Sequence, residues 1–131
     1  MVEYFSVSKD GLAAAIAWLD GSLGDLGLTD DARKRAIVVL DELCGNMIRH
    51  DPTLGPDNQF QLTLQALENG VLLELRDPGM PFDPTTFRHA EQPDLGGHGI
   101  EVVRQMTAAF AYRRAGEENV VTVQLPTVTS T

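Results

Sequence analysis

Cysteine, lysine and long apolar runs are what this sequence has least of. One cysteine, Cys44, among 131 residues excludes an intrachain disulfide. The absence of an N-terminal signal pattern and of any long apolar stretch argues against secretion and membrane spanning, so the expectation is a cytoplasmic protein with no membrane contact. Only two lysines, Lys9 and Lys34, stand with eight arginines against 19 acidic residues, a net charge of −9. That balance excludes a uniform nucleic-acid-binding surface, which needs clustered Lys and Arg, so no direct nucleic-acid partner is expected. A phosphate-bearing ligand stays open, provided a divalent cation or backbone N–H groups supply the missing positive charge. The length fits one domain over residues 1–131 and is too short for an eightfold βα barrel, which takes about 250 residues. A composition of 43% hydrophobic and 22% charged residues is that of a folded domain rather than a disordered chain.

The pattern along the chain alternates between two periods. Glu3 to Val7 reads as a short strand and Ser8 as a helix N-cap. Leu12, Ala13, Ile16, Leu19 and Leu23 recur at helical spacing, up to a glycine-containing stretch from Gly21 to Gly27. Thr29 caps a second helix with Asp30 and Asp31 in its first turn. The apolar stripe of that helix runs from Ala32 through Leu43 and Cys44 to Met47 and Ile48, and Asp51-Pro52 stops it. Phe60, Leu62 and Leu64, an Asn69-Gly70 turn, and Val71, Leu73 and Leu75 form a hairpin pattern. A long aperiodic segment from Pro78 to Leu95 reads as a loop. A third helix opens at Gly96-Gly97-His98-Gly99; a strand from Phe110, a turn over Gly116 to Asn119 and a strand with Val121, Val123 and Leu125 complete the order, before a frayed tail. The order β-α-α-β-β-loop-α-β-β predicts an α+β two-layer sandwich, a mixed and mostly antiparallel sheet with helices on one face.

Three places break the local rules. Glu42, Asn46 and Arg49 share one face of the second helix, where Asn is a poor interior residue. Glu42 and Asn46 offer hard oxygen atoms suited to Mg²⁺, or the face is simply solvated. Asp77 continues the parity of Val71, Leu73 and Leu75, which puts a carboxylate on the core face. Such a group needs a partner, either a ligand NH₂ or the backbone N–H groups of its own turn. Gly79 removes a Cβ where something could approach the chain. Gly96-Gly97-His98-Gly99-Ile100 at a helix start suits an anion, or serves as a hinge. It is not the dinucleotide fingerprint, since Val102 stands where a third glycine belongs, and no GK[ST] phosphate loop exists. His50, His89, His98 and Cys44 have no zinc-site spacing.

Taken together, Glu42-x-x-x-Asn46, then Asp77-x-Gly79-x-Pro81, then Gly96-Gly97-x-Gly99-Ile100 resemble the GHKL ATPase/kinase superfamily. The wording, including Pro81-Phe82-Asp83-Pro84, is closest to the short anti-sigma factor serine/threonine kinases of bacterial partner-switching systems. The resemblance implies a Bergerat-type fold with ATP between sheet and helices. By position it implies Asn46 as Mg²⁺ ligand, Glu42 as general base, Asp77 as acceptor of the adenine amino group, and Gly79 as room for the base. It implies Gly97 and Gly99, with the N–H groups of His98 and Ile100, as phosphate holders, and residues 83 to 95 as a lid. The implied function is a protein serine/threonine kinase that phosphorylates a STAS-type anti-sigma factor antagonist, binds a sigma factor or similar regulator, and forms a homodimer. The alternative is an ATP-binding module that tunes a protein–protein contact without catalysis. Arg104 stays outside the catalytic set.

Overall fold

The computed structural model of the chain describes residues 1–86 and 98–126. Its elements follow the predicted order: β1 (Val2–Ser6), α1 (Lys9–Asp25), α2 (Asp30–His50), β2 (Gln59–Leu67), β3 (Gly70–Asp77), a short 3₁₀ turn (Pro84–Thr86), α3 (His98–Met106), β4 (Ala109–Ala115) and β5 (Glu118–Pro126). The strands make one five-stranded sheet in the order β1-β2-β3-β5-β4. Each of its four pairings is antiparallel, so the sheet among the described residues is more uniform than the expected mixed one.

Both predicted caps form. The Ser8 hydroxyl accepts the Gly11 N–H at 3.0 Å, and the Thr29 hydroxyl accepts the Ala32 N–H at 3.2 Å. Each satisfies one of the orphan donors of a helix start. Alternate residues of the strands, Phe60, Leu62, Leu73, Leu75 and Val123 among them, pack with Leu19, Leu40, Leu43 and Val103 of the helices into one buried cluster. The three helices therefore lie on one face of the sheet, the predicted two-layer arrangement.

Four local expectations change. Helix α1 runs through Gly21 and Gly24 to Asp25, because Ser22 and Leu23 are still buried against the core. Ile48 is 37% exposed, at the far edge of the α2 stripe, and the inward arc takes Asn46 instead. Gly70 belongs to β3, paired with Leu67 on one side and Pro126 on the other, which moves the hairpin turn to Glu68 and Asn69. Glu118 and Asn119 are ladder residues of β5 rather than turn residues. Of the tail expected from Pro126 to Thr131, Pro126 closes β5, paired with Gly70, and residues 127–131 lie outside the described residues.

Candidate functional site

The C-terminal end of α2 and the ends of β3 and β5 meet over a pocket lined by Asn46, His50, Asp51, Asp77, Met80 and Asn119, with apolar walls from Leu43, Leu75 and Val121. Period-two alternation puts Asp77 on the covered face of β3, and the same alternation through Leu125, Val123 and Val121 puts Asn119 on the covered face of β5. The two are cross-strand partners, 6% and 5% exposed.

A hydrogen-bond network fixes this end. Asp77 Oδ1 accepts the Gly79 N–H at 2.9 Å and the Asn119 amide at 3.1 Å. The Asn119 amide also donates to the Met80 carbonyl at 2.8 Å. Its oxygen accepts the Phe82 N–H at 3.2 Å, the Tyr112 hydroxyl at 2.7 Å and Arg114 Nη1 at 3.2 Å. Arg114 Nη1 donates further to the Gly79 carbonyl at 2.7 Å. Both donors to Asp77 converge on Oδ1; among the described residues Oδ2 keeps its lone pairs. The turn-capping and ligand-accepting readings of Asp77 are thus compatible, one oxygen for each.

Asp51, 5% exposed, lies beside Asp77. Its Oδ2 accepts the Met80 N–H at 2.7 Å, and its Oδ1 accepts the Thr53 N–H at 2.9 Å and a short bond from the Thr53 hydroxyl. Gly79 sits between the carboxylates. A Cβ there would lie 2.7 Å from Asp51 Oδ2 and 2.9 Å from Asp77 Oδ1, so only glycine fits without displacing an acid. The two carboxyls are driven in opposite directions. Burial pushes Asp77 above its usual range, against the Asn119 and Gly79 hydrogen bonds; the Thr53 hydroxyl and the Met80 N–H hold Asp51 below its own. His50 stacks on Phe82 with ring centroids 4.1 Å apart and planes at 16°. Burial, then the nearby Arg49 charge, lowers its pKa from 6.5, so the imidazole is neutral at pH 7.

The other end of the site is built with few bonds. Asn46 is 3% exposed and lines the pocket, yet its amide makes no hydrogen bond among the described residues. One turn earlier on α2, half-buried Glu42 lays its side chain on Gly99 of α3: a Cβ there would stand 1.8 Å from Glu42 Oε2. Its carboxylate likewise has no hydrogen bond or ion pair among the described residues. Ile100 is buried in the core below. Cys44 faces the core, where burial pushes its thiol far up and leaves it inert. Arg104 donates to Glu101 and to the Thr85 carbonyl, both at 2.7 Å, which ties α3 to the 3₁₀ turn.

The structure therefore brings Asn46 and Asp77 to one pocket, sets Gly79 between the Asp77 and Asp51 carboxylates, and brings Glu42 and Gly99 into contact at the facing ends of α2 and α3. Gly97, the lid from residue 87 onward and the side chain of His98 lie outside the described residues. Asp51 and Asn119 are the residues sequence reasoning missed. Asn119 carried the signal, the parity of β5, but a turn-like Gly-Glu-Glu-Asn composition obscured it. Asp51 carried only a helix-stop signal.

Comparison with known proteins adds a family. A profile described as "Histidine kinase-like ATPase domain" matches residues 5–125. The chain is 30% identical over 128 residues to the serine/threonine-protein kinase BtrW of Bordetella bronchiseptica (strain RB50), an alignment covering 90% of this chain and 87% of that protein. Among solved structures, a chain of the SiaB–SiaC complex from Pseudomonas aeruginosa has a TM-score of 0.61 at 10% identity, covering 95% of this chain and 88% of its own. The Acinetobacter baumannii histidine kinase AdeS has a TM-score of 0.53 at 14% identity, covering 98% and 68%. At those identities the two structures speak for the fold alone. No helix among the described residues is long and apolar enough to cross a membrane.

Proposed function

The chain belongs to the histidine kinase-like ATPase domain family, and from that premise we propose that it is a Mg²⁺- and ATP-dependent serine/threonine protein kinase of a partner-switching system, with residues 1–131 working as one cytoplasmic kinase domain. Its phosphoacceptor in this reading is a STAS-type anti-sigma factor antagonist, its second partner a sigma factor or similar regulator, and the kinase pairs as a homodimer. That the Bordetella relative is a serine/threonine-protein kinase supports a hydroxyl acceptor, and that the Pseudomonas structure is a SiaB–SiaC complex supports a protein partner.

The observation that carries the proposal is Asn46, a buried residue of the pocket wall whose amide has no hydrogen bond among the described residues and so opens onto the pocket. An amide that opens onto a pocket without a protein partner is free for a ligand to complete. Its oxygen suits Mg²⁺, which ordinarily takes one or two protein ligands and fills the rest of its shell with phosphate oxygens and waters. A site of that kind needs no acidic cluster, and none of three or more His, Cys, Asp or Glu able to hold a metal occurs among the described residues. When bound, the ion neutralises charge on the β- and γ-phosphates.

The chain's own residues divide the work. Asp77 Oδ2 accepts the adenine amino group while Oδ1 stays with Gly79 and Asn119. Gly97, Gly99 and the N–H groups of His98 and Ile100 hold phosphates. Glu42 takes the proton of the acceptor hydroxyl as its oxygen bonds to the γ-phosphorus. The bond from that phosphorus to the β-bridging oxygen breaks, and ADP leaves with the electron pair.

Radiolabelled phosphate should pass from the γ-position of ATP to a STAS-domain antagonist from the native host, and Glu42→Ala should bind ATP without passing it on. Undiminished transfer by that variant overturns the role of Glu42. Nucleotide binding that ignores Mg²⁺ overturns the role of Asn46, and ATP binding without any transfer favours the non-catalytic module.

A further inference from the structure

Gly99 poses a question that its backbone does not answer. It is the second residue of the nine-residue helix α3. Its φ is not in the left-handed region, where only Gly27 and Gly116 are found among the described residues. Alanine is the better helix former at such a position. Neither conformational freedom nor helix propensity therefore accounts for a glycine there.

Space does. A Cβ on residue 99 would meet three consecutive atoms of one side chain: Glu42 Oε2 at 1.8 Å, Cδ at 2.6 Å and Cγ at 3.2 Å. The end of the Glu42 side chain lies along the Cα of Gly99, and turning the carboxylate alone would move its oxygens but leave Cδ 2.6 Å from the new Cβ. Gly45, on the same face of α2, is different: its Cβ would meet only the tip of the flexible Arg49 side chain, Nη1 at 3.1 Å. Among the described residues nothing else holds the Glu42 carboxylate by hydrogen bond or ion pair. The N-terminal end of a helix is also a favourable place for a carboxylate.

We infer that Gly99 is a positioning residue: its missing side chain seats the Glu42 carboxylate against the start of α3, in the place from which it meets the acceptor hydroxyl. This rests on the kinase reading for its catalytic consequence, but the seat itself is a packing relation between two helices.

The test reads both levels. In phosphoryl transfer, Gly99→Ala should lower kcat about 100-fold, the cost of an ångström-scale misplacement, a larger loss than any weakening of ATP binding through its phosphate contact. Adding Glu42→Asp, one methylene shorter, should restore activity above the product of the two single effects, because the shorter acid clears the new methyl group. In thermal unfolding without nucleotide, Gly99→Ala should raise the midpoint in a Glu42→Ala background, where alanine is free to act as the better helix former, and lower it when Glu42 is present. A Gly99→Ala variant with wild-type kcat overturns the inference. So does a loss of ATP affinity that accounts for the whole loss of activity, which would make the glycine a phosphate contact only. An equal midpoint shift in both backgrounds overturns the seat itself. If the wild-type protein transfers no phosphate, the kinase reading fails, while the unfolding pair still decides whether residue 99 seats Glu42.

Discussion

The two ends of the site are built on opposite principles. At the sheet end Asp77, Asn119 and Asp51 are joined to Gly79, Met80, Phe82, Tyr112 and Arg114 by a continuous hydrogen-bond network. At the helix end Glu42 and Asn46 make no hydrogen bond among the described residues, although Asn46 is buried. The sheet end presents one fixed acceptor, Asp77 Oδ2, with its geometry settled before anything binds. The helix end holds its polar groups in reserve and relies on packing, Glu42 on Gly99, to aim them. Base recognition needs a preset donor–acceptor pattern, whereas charge movement needs groups uncommitted until the phosphates arrive. Substitutions at the sheet end should therefore change folding and affinity, and substitution of Glu42 at the helix end turnover.

The largest effect tests the helix end. Glu42→Ala should reduce phosphoryl transfer by about 10³, a typical contribution of a general base, while nucleotide affinity and urea unfolding stay near wild type. A large loss of stability would show that the helix end is braced like the sheet end and erase the contrast. Next comes Asn119→Ala, which strips Asp77 and the Met80 carbonyl of a donor and the Phe82 N–H and Tyr112 hydroxyl of an acceptor. Buried groups left unpaired in this number should cost about 3 kcal/mol in urea unfolding. An Asn119→Ala protein as stable as wild type would mean that water replaces the amide and the network is not what fixes the loop after β3.

How much of this was legible in the sequence follows the same division. Asp77 could be found because a period-two pattern, Val71-Leu73-Leu75, carried a carboxylate onto the covered face. Asn119 obeys the same rule from Leu125 backwards, and only its turn-like neighbours hid it. The helix pattern exposed Glu42 and Asn46 as polar residues beside an apolar stripe, and their family spacing gave them roles to test. Two relations had no local trace. Asp51 binds the Met80 N–H across 29 positions of sequence, and Glu42 meets Gly99 on another helix. Periodicity reports which face a residue takes, not which distant residue shares that face. Ile48 shows the limit from the other side, since an apolar residue at the edge of a stripe is assigned inward by pattern and left outward by packing.

Asp77→Asn sharpens the contrast within the sheet end. The amide oxygen can still accept from Gly79 and Asn119, but an NH₂ would then face the adenine amino group, donor against donor. ATP affinity should fall roughly 100-fold, near the upper value for a hydrogen bond to a charged group. Stability without nucleotide should move the other way. The folded-state pKa of Asp77 is raised, so its contribution is fully present below the unfolded value of 3.8 and lost as pH rises through the folded one. Above the unfolded value the carboxylate form is therefore a cost to the fold, and removing it should raise the unfolding midpoint in calorimetry at neutral pH. A variant that loses both affinity and stability would mean that the network needs the charge itself.

The smallest effect, and the finest discrimination, comes from Asp51. Its folded-state pKa is lowered, first by the Thr53 hydroxyl and then by the Met80 N–H, so its contribution is present above the unfolded value of 3.8 and lost as pH falls through the folded one. The two neighbouring carboxyls therefore oppose each other: acid removes the penalty at Asp77 and removes the support at Asp51. In Asp51→Asn only the first change remains. Between roughly pH 5 and pH 2 the wild-type unfolding midpoint should drop more steeply than that of the variant, by the equivalent of about 1 kcal/mol, the net worth of one such hydrogen bond. Parallel curves would show that Thr53 and Met80 hold a protonated Asp51 as well as an ionised one. The sheet end would then be prearranged by its backbone geometry rather than by the charge on Asp51.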